Sequence, residues 1–570
     1  MPEEIKIKFE NFSFSYDGKN RILDGITFDI KSGERILILG PSGCGKSTLT
    51  LCLNGIIPQL VDGKIEGNIT IDNMDVLNTP LAALTRYVGI VFQDPESQFC
   101  MLKVEDEVAF GLENLLYERK AIKEKIAGSL AIVDLLDYKD WMLNRLSGGM
   151  KQRVSIASLL AINQEILIFD EPTSNLDPRG TCEISDIIKK LPKNKTLIII
   201  EHKLDEFIDI FDRILLLNGR GKLIASGSPE DIFTDYYDEL QKLGVWIPQI
   251  PGYIHKLHKN NIAMDNFPLD VEKAKMEIES IPERGKAINI LKEELKKNTG
   301  SCAEDNTGFS GKPIIDIKNL SYKFKKNDRL VLEDINFSVN QGDFLGIVGQ
   351  NGSGKTTLAK LIINLYKVKP PSRIEIYNPV KNSNRQAESN EILEFIGFVF
   401  QNPEHQFIED TVYKEISYGL RLRLGDDSLT YQKVQEVLEL LELGDFKNIN
   451  PFNLSQGQKR RLSVASILVM NHPVLILDEP TFGMDWRTTT KLMGILTELN
   501  RQGKTIIIIT HDMNLIFKYT RKVAVLKEGR LVYFDYTKRL LGETELIDDC
   551  HLSIPPLYRL LWEVESYAIL

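Results

Sequence analysis

The sequence predicts an α/β protein that contains two tandem copies of one domain, and three observations support this prediction. A glycine-rich segment near residue 45 recurs near residue 354, and four later motifs follow each copy in the same order. Short apolar runs of strand type alternate with helical segments in both halves. At 570 residues the chain is also too long for one hydrophobic core.

The spacing of the repeated motifs supports a duplicated fold. Lys46 and Lys355, and likewise His202 and His511, lie 309 residues apart, whereas the intervening motifs lie 308 apart. A register that changes by one residue over so long a stretch is typical of an internal structural repeat.

Each half is expected to contain three structural parts. Alternating segments at 5–15 and 314–324 open an antiparallel β subdomain. The apolar runs 35–40, 166–169 and 197–200, with 344–349, 474–477 and 506–509 in the second half, predict a mostly parallel core sheet. Segments 104–143 and 412–443, which are rich in Leu, Glu and Lys, predict an inserted helical subdomain.

These patterns divide the chain into four regions. We expect a first domain at 1–244, a helical appendage with a flexible linker at 245–312, a second domain at 313–545, and a C-terminal helical appendage at 546–570. The first appendage should begin a helix at Pro248 and contain one long charged helix near 271–297, before the polar stretch 298–311.

Composition and charge exclude several classes of protein. A net charge of −10 argues against general affinity for nucleic acid or anionic lipid. The six cysteines form no CxxC pair, so we expect neither a zinc site nor a disulfide framework, and a reducing compartment fits best. The start of the sequence does not resemble a targeting segment, and its apolar runs are too short to cross a bilayer.

The two glycine-rich segments are typical of phosphate-binding loops, because each follows a buried strand and precedes a helix. Glycines let successive backbone N–H groups point inward, and the helix N-terminus favours an anion. The first predicted nucleotide-binding set is Gly40, Pro41, Ser42, Gly43, Cys44, Gly45, Lys46, Ser47 and Thr48. The second is Gly349, Gln350, Asn351, Gly352, Ser353, Gly354, Lys355, Thr356 and Thr357. Lys46 and Lys355 supply charge, and the hydroxyls of Ser47 and Thr356 suit Mg²⁺.

Two acidic pairs, Asp170-Glu171 and Asp478-Glu479, each end a buried strand beside a predicted phosphate loop. We interpret the aspartates as part of the magnesium shell and the glutamates as the groups that polarise an attacking water. The alternative is that both acids merely cap the following turn.

The segments Leu146-Ser147-Gly148-Gly149-Met150 and Leu454-Ser455-Gln456-Gly457-Gln458 each precede an apolar helix. They resemble the signature motif of the ABC ATPase superfamily. The resemblance covers nearly all of both halves, and it implies two P-loop NTPase domains that clamp around two ATP molecules with Mg²⁺. Each signature would complete the site of the other half, so Ser455 and Gly457 would serve the first site, and Ser147 and Gly149 the second.

The resemblance also assigns roles to residues around each loop. Gln93 and Gln401 would contact the metal and the water, and His202 and His511 would act as switch histidines, although a lone His is often only a turn residue. Tyr16 and Phe324 would stack on adenine, unless they are simply core aromatics. Asp177 and Asp485 match the family's inter-domain loop.

Departures from the family pattern are few. Gln456 replaces the first signature glycine, Met150 stands where Gln is usual, and Trp486 follows Asp485 where Pro178 follows Asp177. None of these changes removes a catalytic group, so we expect two sites that are competent for hydrolysis.

The stretches Phe92-Gln93-Asp94-Pro95-Glu96-Ser97-Gln98-Phe99 and Phe400-Gln401-Asn402-Pro403-Glu404-His405-Gln406-Phe407 resemble the Gln-loop of energy-coupling factor (ECF) transporter ATPases. This implies an importer of a vitamin or of cobalt or nickel, with an integral membrane coupling protein and a separate substrate-binding membrane protein as partners. The chain would then lie peripherally on the cytoplasmic face of the membrane.

Acids cluster after each Gln, and we give two interpretations of them. They could receive basic side chains of the membrane partner, or they could be solvated acids favoured by a helix N-terminus. The acids are Glu96, Glu105, Asp106, Glu404, Glu409 and Asp410.

The rival function is a tandem ABC ATPase that acts on ribosomes or nucleic acid. The acidic charge balance, the Gln-loop resemblance and a linker without basic clusters all argue against it. A relative with a long coiled-coil arm is disfavoured because no segment sustains several heptads.

Overall fold

The computed structural model describes residues 4–174, 176–202, 204–299, 313–324, 329–377, 389–425 and 428–565. The chain divides into two compact units, Met1–Ile288 with Glu563–Ser566, and Asn289–Trp562 with Tyr567–Leu570. Most of the predicted linker 298–311 and Cys302 lie outside the described residues.

The first unit contains two sheets. Its strands are β1 (Ile5–Ser15), β2 (Leu23–Lys31), β3 (Arg35–Leu39), β4 (Lys64–Ile71), β5 (Met74–Asp75), β6 (Val88–Val91), β7 (Ile166–Asp170), β8 (Thr196–Ile200), β9 (Arg213–Leu217) and β10 (Leu223–Gly227). An antiparallel sheet has the order β2-β1-β4-β5, and a core sheet has the order β10-β9-β3-β8-β7-β6. The core sheet is parallel except for β10 at its edge.

Helices cover these sheets and form the insertion. They are α1 (Lys46–Leu53), α2 (Ile56–Gln59), α3 (Leu81–Leu84), α4 (Val104–Asn114), α5 (Arg119–Ile132), α6 (Gly148–Ile162), α7 (Pro178–Lys189), α8 (Pro229–Asp235), α9 (Tyr237–Leu243), α10 (Gln249–Lys259), α11 (Val271–Ser280) and the beginning of α12 (Arg284–Thr299), which the unit boundary at Ile288 divides. Helices α4 and α5 confirm the predicted helical subdomain, and both pack on α6.

The core sheet is buried on both faces because two different layers cover it. In β7 the side chains of Ile166 and Ile168 pack with the antiparallel sheet and α1, whereas those of Leu167 and Phe169 pack with the helical layer. This two-residue period explains why the core strands are continuously apolar.

The second unit repeats this architecture. Its strands are β11 (Pro313–Tyr322), β12 (Leu332–Asn340), β13 (Phe344–Val348), β14 (Arg373–Ile376), β15 (Ile396–Val399), β16 (Val474–Asp478), β17 (Thr505–Ile509), β18 (Lys522–Lys527) and β19 (Arg530–Tyr536). The core order is β15-β16-β17-β13-β18-β19, and the antiparallel order is β12-β11-β14. Its helices are α13 (Lys355–Ile362), α14 (Ser389–Phe395), α15 (Val412–Leu424), α16 (Ser428–Leu440), α17 (Gln456–Leu468), α18 (Trp486–Arg501), α19 (Met513–Tyr519), α20 (Thr544–Asp549) and α21 (Pro556–Glu565). The predicted fold class is confirmed.

One helix prediction in the appendage was wrong. The segment 271–297 forms two helices, α11 and α12, instead of one. Helix α11 ends at Ser280, and its C-cap residue Ile281 has an extended ψ of 144°. Pro282 follows it, and a residue before proline is disfavoured in the helical region. The predicted helix start after Pro248 is confirmed by α10. The four region boundaries themselves stay a prediction.

Candidate nucleotide-binding and catalytic sites

The first phosphate loop joins β3 to α1 and closes around its own lysine. Lys46 is buried, and its Nζ donates to the carbonyls of Gly40 at 2.9 Å and Pro41 at 3.0 Å. Gly45 has a φ of 98°, and a Cβ there would approach Leu23 Cδ2 to 2.8 Å. Glycine is therefore required at Gly45 both by backbone conformation and by space.

The second loop has the same geometry between β13 and α13. Lys355 Nζ donates to the carbonyls of Gly349 at 2.7 Å and Gln350 at 2.8 Å. Beside this loop, residues 350–353 help to line a cavity of about 250 Å³. Ser353 Oγ is buried, and it has no hydrogen-bond partner among the described residues. A buried hydroxyl in a glycine-rich loop beside a cavity fits a site for an oxyanion ligand.

A hydroxyl meets a carboxylate beside each loop. Ser47 hydrogen-bonds to Asp170, and Thr356 Oγ1 donates to Asp478 Oδ2 at 2.7 Å. Burial raises the pKa of both carboxyls to about 6. A pair of hard oxygens in which burial penalises the carboxylate charge suits Mg²⁺, whose own charge would offset that penalty. Within the described part of the chain there is no cluster of three or more His, Cys, Asp or Glu side chains that could hold a metal by themselves.

The second acid of each pair, Glu171 or Glu479, follows its strand in an unusual backbone conformation. Glu171 has a φ of 48° and Glu479 a φ of 49°. Their N–H groups donate to the carbonyls of Ile200 and Ile509, both at 2.8 Å. A non-glycine residue in the left-handed region is uncommon, and both repeats keep it at the same position. The catalytic role of the two glutamates stays a prediction.

In the first half Glu171 contacts two side chains that the sequence analysis assigned to the site. Gln93 Nε2 donates to Glu171 Oε2 at 2.7 Å, and His202 Nε2 lies 3.1 Å from Glu171 Oε1. Burial works against the Glu171 charge, but His202 and Lys46 outweigh it and lower the pKa of the carboxyl. The structure thus brings Gln93, Glu171 and His202 together in one cluster.

In the second half Glu479 has different partners. Its Oε2 accepts from Thr510 Oγ1 at 3.1 Å, and its Oε1 lies 2.8 Å from His511 Nδ1 and accepts from the His511 N–H at 3.2 Å. The Gln401 carbonyl and the Phe400 carbonyl accept from the guanidinium of Arg460, which is 1% exposed. Burial lowers the pKa of Arg460 to about 10, against the charges of Glu479 and Asp478.

The comparisons with known proteins agree with this geometry. The protein-family model described as ABC transporter matches residues 23–174 and 332–482. The chain is 37% identical over 555 residues to YkoD of Bacillus subtilis (strain 168), which is named for HMP/thiamine import as an ATP-binding protein, and the match covers 96% of this chain and 95% of YkoD.

The chain belongs to the ABC transporter family. It is an ATP-binding protein with two ATPase domains that hydrolyse ATP for transport. TTE1589 of Caldanaerobacter subterraneus subsp. tengcongensis, named as an ABC transporter ATP-binding protein, is 36% identical, and the match covers 98% of this chain and 96% of TTE1589.

One solved structure, cbiO1 from Clostridium perfringens, is described as part of the ABC transporter complex cbiONQ. It is 32% identical to this chain, covers 44% of it and 99% of its own length, and has a TM-score of 0.38. Across the described residues no helix is both long and apolar enough to span a membrane.

The ABC signature residues lie at helix N-termini in both units. Ser147 caps α6 and accepts from the Met150 N–H at 3.3 Å. Ser455 caps α17, where Gln458 completes a reciprocal capping box. A Cβ on Gly457 would approach the Gly483 carbonyl to 2.8 Å, whereas Gly149 meets nothing closer than 3.7 Å. The pairing of each signature with the other half's nucleotide stays a prediction.

The predicted adenine-stacking aromatics are placed differently in the two halves. Tyr16 is 48% exposed, and its hydroxyl lies 3.1 Å from Thr48 Oγ1 beside the phosphate loop. Phe324 is half-buried and packs edge-on against Tyr322 and Tyr366. Only Tyr16 therefore presents a largely exposed ring, and the stacking role of both stays a prediction.

Asp177 and Asp485 begin the helices that follow the acidic pairs. Asp177 Oδ1 accepts from the Gly180 N–H at 2.9 Å, and Asp485 Oδ1 accepts from the Thr488 N–H at 2.8 Å. Both are N-cap residues of α7 and α18.

Four of the six acids near the Gln-loops have partners inside their own unit. Glu96 pairs with Lys151, and Lys459 Nζ lies 2.6 Å from Glu404 Oε1, so each pair links the Gln-loop to the ABC signature helix. Arg421 lies 2.6 Å from Glu409, and Lys414 lies 2.8 Å from Asp410. These pairs offer a third interpretation of the acids, as members of ion pairs that hold the Gln-loop region to helices of the same unit.

The sequence analysis missed two buried glutamates that hold the Gln-loops. Glu107 accepts from the N–H groups of Cys100 at 2.9 Å and Met101 at 2.8 Å. Glu415 accepts from those of Ile408 at 2.9 Å and Glu409 at 2.8 Å. The signal was available, because each Glu lies at the same distance after its Gln in both repeats.

Proposed function

We propose that this chain is the ATP-hydrolysing subunit of an ECF-type importer, which drives uptake of a vitamin or a transition-metal ion through separate membrane proteins. The observation that carries this proposal is the full-length similarity to YkoD, whose printed name refers to HMP/thiamine import. The Gln-loop segments after Phe92 and Phe400 support the same class. The partners are an integral coupling protein and a substrate-binding membrane protein, with this chain peripheral on the cytoplasmic face.

Two composite sites perform the hydrolysis in this proposal. The first combines side chains from one half with the signature of the other, and its members are Lys46, Ser47, Gln93, Asp170, Glu171, His202, Ser455 and Gly457. The second uses the corresponding residues, which are Lys355, Thr356, Gln401, Asp478, Glu479, His511, Ser147 and Gly149.

Within each site the residues divide the work. Lys46 and Lys355, with the loop N–H groups, bind the phosphates, and Tyr16 and Phe324 stack on adenine. Bound Mg²⁺ would neutralise charge on the β- and γ-phosphates. Its ligands would be Ser47, Gln93 and Asp170 in the first site and Thr356, Gln401 and Asp478 in the second.

Glu171 and Glu479 orient and polarise the attacking water, and His202 and His511 contact the γ-phosphate. The bond from Gln93 to Glu171 supports a link between this chemistry and the surface loop where a membrane partner would dock.

The test is purification of the tagged chain from detergent-solubilised membranes of its native host, followed by identification of bound proteins. We expect an integral coupling protein and a substrate-binding membrane protein. Recovery with ribosomes or nucleic acid, without membrane proteins, would support the rival function instead.

The reconstituted complex should then be assayed for uptake of labelled thiamine, HMP and Co²⁺ into vesicles. We expect one of these cargoes to accumulate in an ATP-dependent manner. The double variant E171Q/E479Q should assemble normally and transport nothing, because it retains the side-chain shapes but loses both bases. Transport by that variant would contradict the assigned roles.

A further inference from the structure

Glu201 is a fully buried acid in the first half to which the proposed hydrolysis gives no role. It lies directly after β8 and before His202, and it is 2% exposed. Its Oε1 accepts from the His202 N–H at 2.8 Å. Its Oε2 accepts from the Thr173 hydroxyl at 2.7 Å and from the Thr173 N–H at 3.3 Å.

These contacts connect two loops that matter for the site. Thr173 belongs to the turn after the acidic pair, and the Leu176 N–H donates to its carbonyl at 3.1 Å, immediately before Asp177. Glu201 therefore bridges the loop that carries the switch histidine and the turn that leads to the inter-domain loop.

The second half holds the loop that carries its histidine in a different way. Thr510 occupies the position of Glu201 in the repeat. The switch loop is there held by the catalytic glutamate itself, because Glu479 accepts from the Thr510 hydroxyl and from the His511 N–H. The base of the second half is thus engaged by its own switch loop.

The difference decides which side chains the first base contacts. Since Glu201 accepts the His202 N–H in place of Glu171, the Glu171 carboxylate bonds to Gln93 and to the His202 ring. The two histidines also present different ring nitrogens to their glutamates, Nε2 in His202 and Nδ1 in His511.

We propose that Glu201 is a positioning residue for hydrolysis in the first site. It takes over the switch-loop bridge that Glu479 makes in the second half, and it thereby holds Glu171 against Gln93, so that the first site is the one coupled to the Gln-loop. This inference rests on the proposed role of Glu171 as the catalytic base.

A carboxylate suits this bridge because three donors converge on it. Burial and the neighbouring Glu171 charge raise the pKa of Glu201, so the buried acid is costly by itself. The donors from Thr173 and His202 offset that cost. A threonine hydroxyl at this position is too short to span both loops, and it would leave the Thr173 hydroxyl without its partner.

The test compares E201T, which copies the second half, with E201Q in the purified full chain. We expect E201T to lower kcat for ATP hydrolysis about tenfold, with KM for ATP within twofold of wild type, because Glu201 does not touch nucleotide. We expect E201Q to retain at least half of the wild-type kcat, because the amide can accept from the His202 N–H and donate to the Thr173 hydroxyl.

A double-mutant cycle tests the bridge itself. T173V removes only the hydroxyl that donates to Glu201, so E201T should cause a smaller fold loss of kcat when it is added to T173V than when it is added to the wild type. Thermal unfolding of each variant separates this role from a purely structural one, in which kcat would fall in proportion to stability for E201T and E201Q alike.

Three results would overturn the inference. These are a kcat for E201T within twofold of wild type, equal damage by E201Q and E201T, and additive effects of E201T and T173V. The variant E171Q, assayed beside them, separates this failure from a wrong site assignment. If E171Q hydrolyses ATP normally, Glu171 is not the base. If E171Q is inactive while E201T is fully active, only the role of Glu201 is wrong.

Discussion

The two proposed catalytic centres of this chain share one fold and one set of motifs, yet they differ in the polar side chains that pack behind those motifs. Behind the first centre lie a buried acid, Glu201, and a buried amide, Gln152, whose Nε2 donates to the Phe92 carbonyl at 3.4 Å. Behind the second lie Thr510 and the buried Arg460. The first centre therefore has an additional buried carboxyl group, and the second has an additional buried guanidinium group.

This difference shows that duplicated motifs do not imply duplicated control. Lys46 and Lys355 make the same contacts, and both glutamates have the same strained backbone. The glutamate side chains nevertheless turn to different partners because residues outside the motifs compete for the same donors. The two glutamates are thus connected to different loops, Glu171 to the Gln-loop and Glu479 to the loop of Thr510 and His511.

The largest effect should come from removing one base at a time. We expect E171Q and E479Q each to reduce ATP turnover by well over tenfold, because the amide cannot act as a base. Phosphate release by the purified chain measures this. Near-full activity in one variant would show that its centre is idle, and the comparison would become one between an active and an inactive site.

The next effect concerns the buried arginine. R460Q, which copies Gln152 of the first half, should lower the free energy of unfolding by about 2–3 kcal/mol, because a charged donor is lost from two backbone carbonyls. The matched variant Q152A should cost only about 1 kcal/mol. Denaturant unfolding measures both. Equal costs would mean that Arg460 contributes no more than the amide it replaces in the repeat.

The buried carboxylate of Asp478 should destabilise the protein at neutral pH when Mg²⁺ is absent. Burial raises its pKa from 3.8 to about 6, so in the absence of Mg²⁺ the native state binds this proton more tightly than the unfolded chain does. Its contribution to the free energy of unfolding therefore becomes more unfavourable as pH rises from about 4 to about 6, and stays so above that range.

In EDTA at pH 7.5 we expect D478N to stabilise the protein by about 1–2 kcal/mol, with most of the gain lost near pH 4. D170N should behave alike, because burial also raises the pKa of the Asp170 carboxyl to about 6. Thermal unfolding at several pH values measures the gain. A gain that grows as pH falls would contradict the sign of this argument.

The smallest effect concerns the ion pairs between Gln-loop and signature helix. E404K should lower the free energy of unfolding by less than about 1 kcal/mol, since Glu404 is 42% exposed. Adding K459E in the same chain should restore the ion pair and the lost stability. The corresponding exchange at Glu96 and Lys151 serves as the matched pair. If E404K instead abolishes assembly with the membrane proteins while stability is unchanged, the acid contacts the partner, as in the docking interpretation.

Much of the fold and the site was predictable because repeats and short periodic patterns encode them. The buried strands that end at Asp170 and Asp478 were visible as apolar runs, and Lys46, Gln93, Glu171 and His202 were recognisable from motifs that recur in register. The break at Pro282 in the appendage was overlooked, although the proline itself was the signal.

The amino-acid sequence by itself determined the duplicated α/β architecture and the motifs on which the proposed ATP sites rest, because backbone curvature, strand burial and motif order depend on local residue types. Only the tertiary structure decided which partners Glu171 and Glu479 take, and that Glu201 connects the loop of His202 to the turn of Thr173. Those outcomes depend on competition among donors that lie far apart in the chain and become neighbours only when strands β7 and β8, or β16 and β17, pair in the folded sheet.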